Sequence, residues 1–138
     1  MKDQLRLAGC IILDGNGGVL LLHRHTPKRT QWEIPGGKID EGESVVQAVV
    51  REIREEVGVE ITIVRQLGAK EFSEDDFTMH YTWFLGEVTK GTPHIGEPDT
   101  FDDLRYFDRG ALLKARTKLS SNAKNFLDAW LAGELTLD

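Results

Sequence analysis

The chain has 138 residues, of which 40% are hydrophobic, a single cysteine and a formal net charge of −6. That length and composition fit one domain, read here as a unit over residues 1–138, with enough apolar material for a sizeable core. The acidic balance excludes a general binder of polymeric nucleic acid or of an anionic membrane, because either partner demands a basic face.

Residues 4–14 and 18–24 are apolar runs on either side of DGNGG, a pattern that predicts two strands joined as a hairpin. Cys10 sits inside LAGCIIL, has no partner for a disulfide, and reads as a small core residue. No apolar stretch reaches the length of a bilayer span and MKDQLRL lacks the apolar region of a signal peptide, so a cytoplasmic protein is expected. A polar loop, HTPKRTQ, leads to the short extended piece WEIP and then to a glycine-rich loop, GGKIDEGES. A helix is predicted from about Ser44, which caps the first turn while Gln47 reaches back to complete a capping box. Val46, Val49 or Val50, Ile53 and Val57 recur at helical spacing as the buried stripe, the glutamates lie off it, and Gly58 ends the helix.

Beyond that helix, EITIVRQLGAKEF and TMHYTWFLGEV read as two longer strands turning at SEDD, followed by a loop over residues 89–101. LRYF is a short strand, Asp108 is placed to cap a short helix over 109–115, and Ser120 or Ser121 caps a last amphipathic helix ending at Leu131. Strands and helices mix without regular alternation, which predicts an α/β sandwich around a mixed sheet.

The segment REIREEVGV, residues 51–59, places Glu52, Glu55 and Glu56 at offsets of three and four, so all three carboxylates share one helical face. Like charges at that spacing repel, and the segment asks for a cation. Residues 40–56 hold six acids against Arg51 and Arg54, and residues 97–108 hold five against Arg105, so two acidic clusters are available to share one ion. A salt-bridged exposed helix accounts for Arg51 with Glu55, yet leaves Glu52 facing Glu56 unexplained. Hard divalent cations prefer oxygen ligands, and magnesium takes one or two carboxylates together with water and substrate phosphates.

Gly37, five residues, Glu43, seven residues and then REIREEVGV resemble the Nudix box in every defined position. The box covers 23 residues, and WEIPGG together with the order of elements extends the similarity more loosely over most of the chain. The resemblance implies a Nudix-type α/β/α sandwich with a central mixed β-sheet. It implies a reaction in which water attacks a phosphorus of a nucleoside diphosphate linked to a further group, with Mg2+ or Mn2+ as cofactor and a small-molecule nucleotide as the binding partner. Glu52, Glu55 and Glu56 are then the metal ligands, joined by the carbonyl of Gly37. Arg51 orients a catalytic glutamate, and Glu43 supports Arg51; because a helix rises about 12 Å over eight residues, that contact requires Glu43 to lie in the loop or the first turn. The catalytic set implied is Glu52, Arg51, Glu55 and Glu97. Nudix-type domains that only sense a nucleotide usually show a damaged box, and here every glutamate is present.

Glu97, in GEPD, stands where many relatives supply a further acid, with Asp99, Asp102 and Asp103 competing for the role. Arg24, with Lys28 and Arg29 nearby, is placed to meet substrate phosphates, since a polyanion needs cations as well as a metal. His23, His25, His80 and His94 show no metal-ligand spacing, and Trp32, Phe72, Tyr81, Trp83 and Phe84 are core candidates, one of them available to stack on a base. ADP-ribose hydrolases of this family commonly carry a proline about fifteen residues past the box, where this chain reads SEDD, and dinucleoside polyphosphate hydrolases a tyrosine where it has Phe77. The surroundings look most like MutT-type nucleoside triphosphate pyrophosphohydrolases. Asn122 falls where those enzymes read a purine, a role that competes with capping the last helix.

Overall fold

The computed structural model describes residues 2–138; Met1, with which the expected unit begins, lies outside the described residues. Seven strands and three helices follow in the order β1 (Asp3–Ile12), β2 (Val19–His25), β3 (Thr30–Glu33), β4 (Gly36–Lys38), α1 (Val45–Val57), β5 (Glu60–Glu74), β6 (Phe77–Lys90), β7 (Phe101–Phe107), α2 (Arg109–Lys114) and α3 (Ser121–Leu131), with one 3-10 turn at Arg116–Lys118. They form a mixed sheet in the order β4-β1-β6-β5, in which β1 and β6 run parallel, and an antiparallel sheet in the order β3-β2-β7.

Alternation along the strands builds two cores. Ala8, Cys10, Ile12, Leu20 and Leu22 point one way and pack with Val49, Ile53 and Val57 of α1. Ile11, Val19 and Leu21 point the other way and pack with Trp83, Phe126 and Leu127, the last two from α3. Period-two side chains in the strands thus feed a helix on each side, which is the expected α/β/α sandwich.

The expected hairpin of the first two strands is not formed. The turn itself exists, since Asp14 N–H donates to the Gly18 carbonyl at 3.1 Å and Leu13 bridges to Val19. Beyond it the chain crosses between sheets: β1 pairs with β4 and β6, and β2 with β3 and β7. Both strands are buried on two faces over Cys10–Ile12 and Val19–Leu22, so each can serve a different sheet. The extended piece expected at WEIP is strand at Trp32 and Glu33, and the strand reaches back into the polar loop to Thr30, pairing with β2, while Gly36–Lys38 of the glycine-rich loop pairs with Leu7, Ala8 and Gly9 of β1. β7 begins at Phe101, three residues before LRYF, and the turn between β5 and β6 narrows to Asp75 and Asp76. In α1, Val46 is 43% exposed and Ala48 takes its place in the buried stripe.

The capping box is present as expected: Ser44 Oγ accepts from Gln47 N–H at 3.1 Å, and Gln47 Oε1 accepts from Ser44 N–H at 2.8 Å. At the other end, Gly58 takes φ of 72° and closes the helix on the Arg54 carbonyl. The following loop docks on this end, where helix carbonyls lack intrahelical donors. His94 N–H donates to the Val57 carbonyl and Gly96 N–H to that of Glu56, each at 2.9 Å.

β4 is fixed at both ends by β1, through Cys10 N–H to the Pro35 carbonyl and Ile39 N–H to the Arg6 carbonyl, both 3.0 Å. Gly36 lies so close to β1 that a Cβ would fall well inside van der Waals contact of the Ala8 carbonyl oxygen and the Gly9 Cα, both backbone atoms. Gly36→Ala should therefore cost about 1–3 kcal/mol of stability, the usual penalty for overpacking against atoms that cannot turn away. A chemical denaturation midpoint unchanged from that of the unmodified protein would show that β4 is free to move.

Candidate active site

The glycines of β4 leave an edge without side chains, and α1 packs where its glutamates face it. Glu56, placed off the buried stripe by the sequence, is only 6% exposed, because it follows Ile53 by three residues and so lies on the margin of that stripe. Its Oε1 accepts from Gly36 N–H at 2.8 Å. Glu52 lies against Gly37, so closely that a Cβ there would stand 2.7 Å from the Glu52 Cδ.

Arg51 organises the exposed side of this cluster. Its Nε and Nη2 bind the two Glu43 oxygens at 2.7 and 2.9 Å, its Nη1 donates to Glu52 Oε1 at 2.9 Å and to Glu55 Oε2 at 3.3 Å, and its Nη2 reaches the Lys38 carbonyl at 3.2 Å. The eight-residue reach to Glu43 is possible because Glu43 precedes the N-cap, in the turn where its Oε1 also accepts from Asp40 N–H at 2.9 Å. The Arg51 guanidinium and that backbone N–H hold the Glu43 carboxyl down at about 2, and Glu43 in turn pushes Arg51 upward.

The inner glutamates move the other way. Burial pushes the Glu52 carboxyl up against the opposing pull of Arg51, and Glu55 and Glu97 add to the rise. Burial pushes Glu56 well above the usual carboxylate range, with Glu52, Glu97 and Glu33 adding to it and only the Gly36 N–H opposing. The two arginines at hand are already committed, Arg51 to Glu43 and Arg24 to Glu33. A buried, oxygen-only donor set with uncompensated negative charge fits a hard divalent cation. Among the described residues no three carboxylates, imidazoles or thiols yet converge closely enough to enclose an ion, since Glu55 is turned to Arg51 and Glu56 to Gly36.

The remaining expected residues separate. Glu97 is half-buried in the loop docked on α1 and acts electrostatically on both Glu52 and Glu56. Its competitors are engaged or outside: Asp102 binds His23 Nδ1 at 2.6 Å, Asp103 binds Arg105 at 2.9 Å, and Asp99 is exposed. Arg24 is not a free cation, because its Nε and Nη2 bind Glu33 at 2.7 and 3.1 Å and its guanidinium lies 5.1 Å from the Phe101 ring centroid. Arg29 binds Glu74 at 2.8 Å and also Asp75, and Lys28 binds Asp75 at 3.5 Å. Asn122 does not cap α3, a task done by Ser120 Oγ, which accepts from Ala123 N–H at 3.1 Å.

A cleft of about 390 Å³ takes in Gly37, Glu52, Glu56, Arg24 and Asn122, whereas Arg51, Glu55 and Glu97 do not line it. It runs across the mixed sheet from Gly36, Gly37, Glu52 and Glu56 at the β4 edge to Phe72 and Met79, which pair across β5 and β6, with Tyr81 and Asn122 between. Glu33, Leu7 and Met79 were not singled out by the sequence. Strand alternation would have marked them only once the pairings of β3, β1 and β6 were known.

The NUDIX domain model matches residues 4–130, and the chain belongs to the Nudix family of hydrolases, enzymes that cut a pyrophosphate linkage with a divalent metal ion. An 8-oxo-dGTP diphosphatase of Proteus vulgaris is 31% identical over 104 residues, 69% of this chain and 93% of that protein. A MutT NUDIX hydrolase from Burkholderia pseudomallei superposes with a TM-score of 0.81 at 27% identity, covering 92% of this chain and 98% of its own. The solution structure of the E. coli ORF135 protein gives 0.78 at 26% identity, over 96% and 92%. No helix among the described residues is long and apolar enough to cross a membrane.

The raised Glu56 carboxyl sets a pH dependence. In the unfolded chain Glu56 ionises near the usual carboxylate value of 4.5, and in the folded protein only well above it. The folded state therefore holds the extra proton between those values, and its stabilisation is complete below 4.5 and lost as pH rises through the folded value. Chelator-treated protein should lose stability over that range, and Glu56→Gln, whose amide oxygen still accepts from Gly36, should remove the loss. Parallel pH profiles for the two proteins in chemical denaturation would contradict this assignment.

Proposed function

We propose that this Nudix hydrolase cleaves nucleoside or deoxynucleoside triphosphates, including oxidised or otherwise modified ones, to the monophosphate and pyrophosphate, with Mg2+ as the preferred ion. The observation that carries this is one cleft with the Glu52 and Glu56 carboxylates and the β4 glycines at one end and Phe72, Met79 and the Asn122 amide at the other, read as a polyphosphate end and a base end. The similarity to an 8-oxo-dGTP diphosphatase supports the same substrate class.

Glu52, Glu55, Glu56 and the Gly37 carbonyl would hold the ion, whose contribution when bound is to neutralise the phosphate chain and draw electron density from phosphorus. Glu52 accepts the proton of the attacking water as the water oxygen bonds to phosphorus and pyrophosphate departs. Its raised carboxyl suits a base working nearer neutrality than an ordinary glutamate. Arg51 orients Glu52 through the 2.9 Å contact and is itself fixed by the forked bond to Glu43. Glu97, acting on the same pair across the docked loop, is the remaining acid for positioning metal or water. Arg24 uses Nε and Nη2 on Glu33, which leaves Nη1 to face a substrate phosphate.

A panel of triphosphates, ADP-ribose, dinucleoside polyphosphates and nucleotide sugars, with products identified, decides the substrate class. Triphosphates should be preferred and give pyrophosphate; turnover of ADP-ribose far above every triphosphate would contradict the proposal, and binding without product would identify a sensor. On the best substrate, Glu52→Gln should lower kcat by about 10² to 10⁴ at saturating Mg2+. Recovery of the rate with excess metal would instead make Glu52 a ligand only. Glu97→Gln should lower activity with little change in melting temperature.

A further inference from the structure

Alternation along β1 puts Leu7, Gly9 and Ile11 on one face, and Gly9 leaves an empty place between two apolar side chains. A glycine inside a strand weakens it and marks a close approach by something else. Its partner across the ladder is Gly36 of β4, so two neighbouring strands lack side chains at the same level. The occupant of this trough is the phenol of Tyr81, which stands on β6 in register with Leu7. A Cβ on Gly9 would lie 2.5 Å from the Tyr81 hydroxyl oxygen and 3.1 Å from Cε1, and one on Gly36 would lie 2.8 Å from the same oxygen. The ring therefore reaches across β1 and sets its hydroxyl beside the residue whose N–H holds Glu56.

That hydroxyl has no partner inside the fold. Tyr81 is 6% exposed and lines the cleft, yet among the described residues no hydrogen bond ends on its oxygen. Asn122, which stands with it between the two ends of the cleft, gives its Oδ1 to Trp83 Nε1 at 2.9 Å instead. Among the described residues every side-chain oxygen or nitrogen sealed from solvent has a hydrogen-bond partner, so the unpartnered Tyr81 oxygen is not sealed and opens into the cleft. Packing alone would be served by phenylalanine, which fills the same trough without a polar group to desolvate.

We propose that Tyr81 is a sugar-binding residue that determines specificity, its hydroxyl pairing with a hydroxyl of the nucleotide sugar. A nucleotide with its phosphates at the β4 edge and its base against Phe72 and Met79 must lay its sugar over the junction of the two, where this oxygen opens. A phenol and a sugar hydroxyl each donate and accept, so they pair without adding charge to a floor already crowded with carboxylates. The proposal rests on the triphosphate reading and adds to it the part of the substrate between phosphate and base.

The test compares kcat/KM for the ribo-, 2′-deoxy- and 2′,3′-dideoxynucleoside triphosphates of one base in the unmodified protein and in Tyr81→Phe. The unmodified protein should use a sugar bearing the recognised hydroxyl about tenfold better than one lacking it, and the step in the series at which the rate falls tells which hydroxyl that is. Tyr81→Phe keeps the ring in its trough and removes only the oxygen. It should lose about tenfold on the sugars that carry the hydroxyl and nothing on those that lack it, so that the preference falls to about one, with the melting temperature unchanged. Equal losses on all three sugars would assign the oxygen to phosphate or to packing, and an unchanged sugar ratio with a lowered melting temperature would make it structural. Either result, or an unmodified protein indifferent to the sugar hydroxyls, would overturn the proposal while leaving triphosphate hydrolysis intact. Failure to cleave any triphosphate would overturn the substrate reading and this proposal with it.

Discussion

Two carboxylates pressed against an edge of sheet that has no side chains are the constraint around which the site is arranged. Glu52 and Glu56 reach Gly37 and Gly36 because nothing projects from those positions, and burial there raises both carboxyls. Everything nearby either tightens that crowding or limits it. β1 pins the glycines, the capping box starts α1 at the residue that sets its rotation, and the loop docked on the helix end adds Glu97 to the negative field. Arg51 offsets the charge only on its outer side, because Glu43 holds its Nε and Nη2. A protein built only for stability would not keep such an arrangement; a site that must receive a cation and a polyanion together has a use for it.

The two cores explain how this crowding is tolerated. α1 is anchored by Val49, Ile53 and Val57, all fully buried, so the glutamates on the margin of that stripe cannot swing the helix away. The opposite core holds α3 and with it Trp83 and Asn122, so the charged and the apolar ends of the cleft belong to different packing units that share β1 and β2. The acidic cluster and Asn122 are thereby carried by different helices, α1 and α3.

Local signals were legible in the sequence and long-range pairings were not. Ser44, Gln47 and Gly58 bound α1 where the sequence places them, because caps act over three or four residues and need no tertiary context. The spacing from Gly37 to Val59 likewise identified the family, since it encodes a glycine edge and a helical face together. By contrast, Leu13 and Val19 flank a real turn, yet their strands go to different sheets, a choice made by burial on both faces and invisible to turn chemistry. Arg24 looked like a free cation because the pairing of the extended WEIP piece with β2 could not be read, which hid Glu33 beside it. The same blindness to pairing left Asn122 divided between a cap and a base reader; the cap belongs to Ser120, and the partner that orients Asn122 lies 39 positions away at Trp83.

The central proposal is that the crowded glutamates take up a divalent cation in the folded protein, Glu55 turning from Arg51 and Glu56 from Gly36 to enclose it. Binding of Mn2+ to the nucleotide-free protein, followed through the electron paramagnetic resonance signal of the free ion, tests it without reference to turnover. Saturable binding that weakens when Glu52, Glu55 or Glu56 is replaced by Gln, with the fold retained, is the result this account predicts. Binding of unchanged affinity in all three variants would place the ion elsewhere and contradict it.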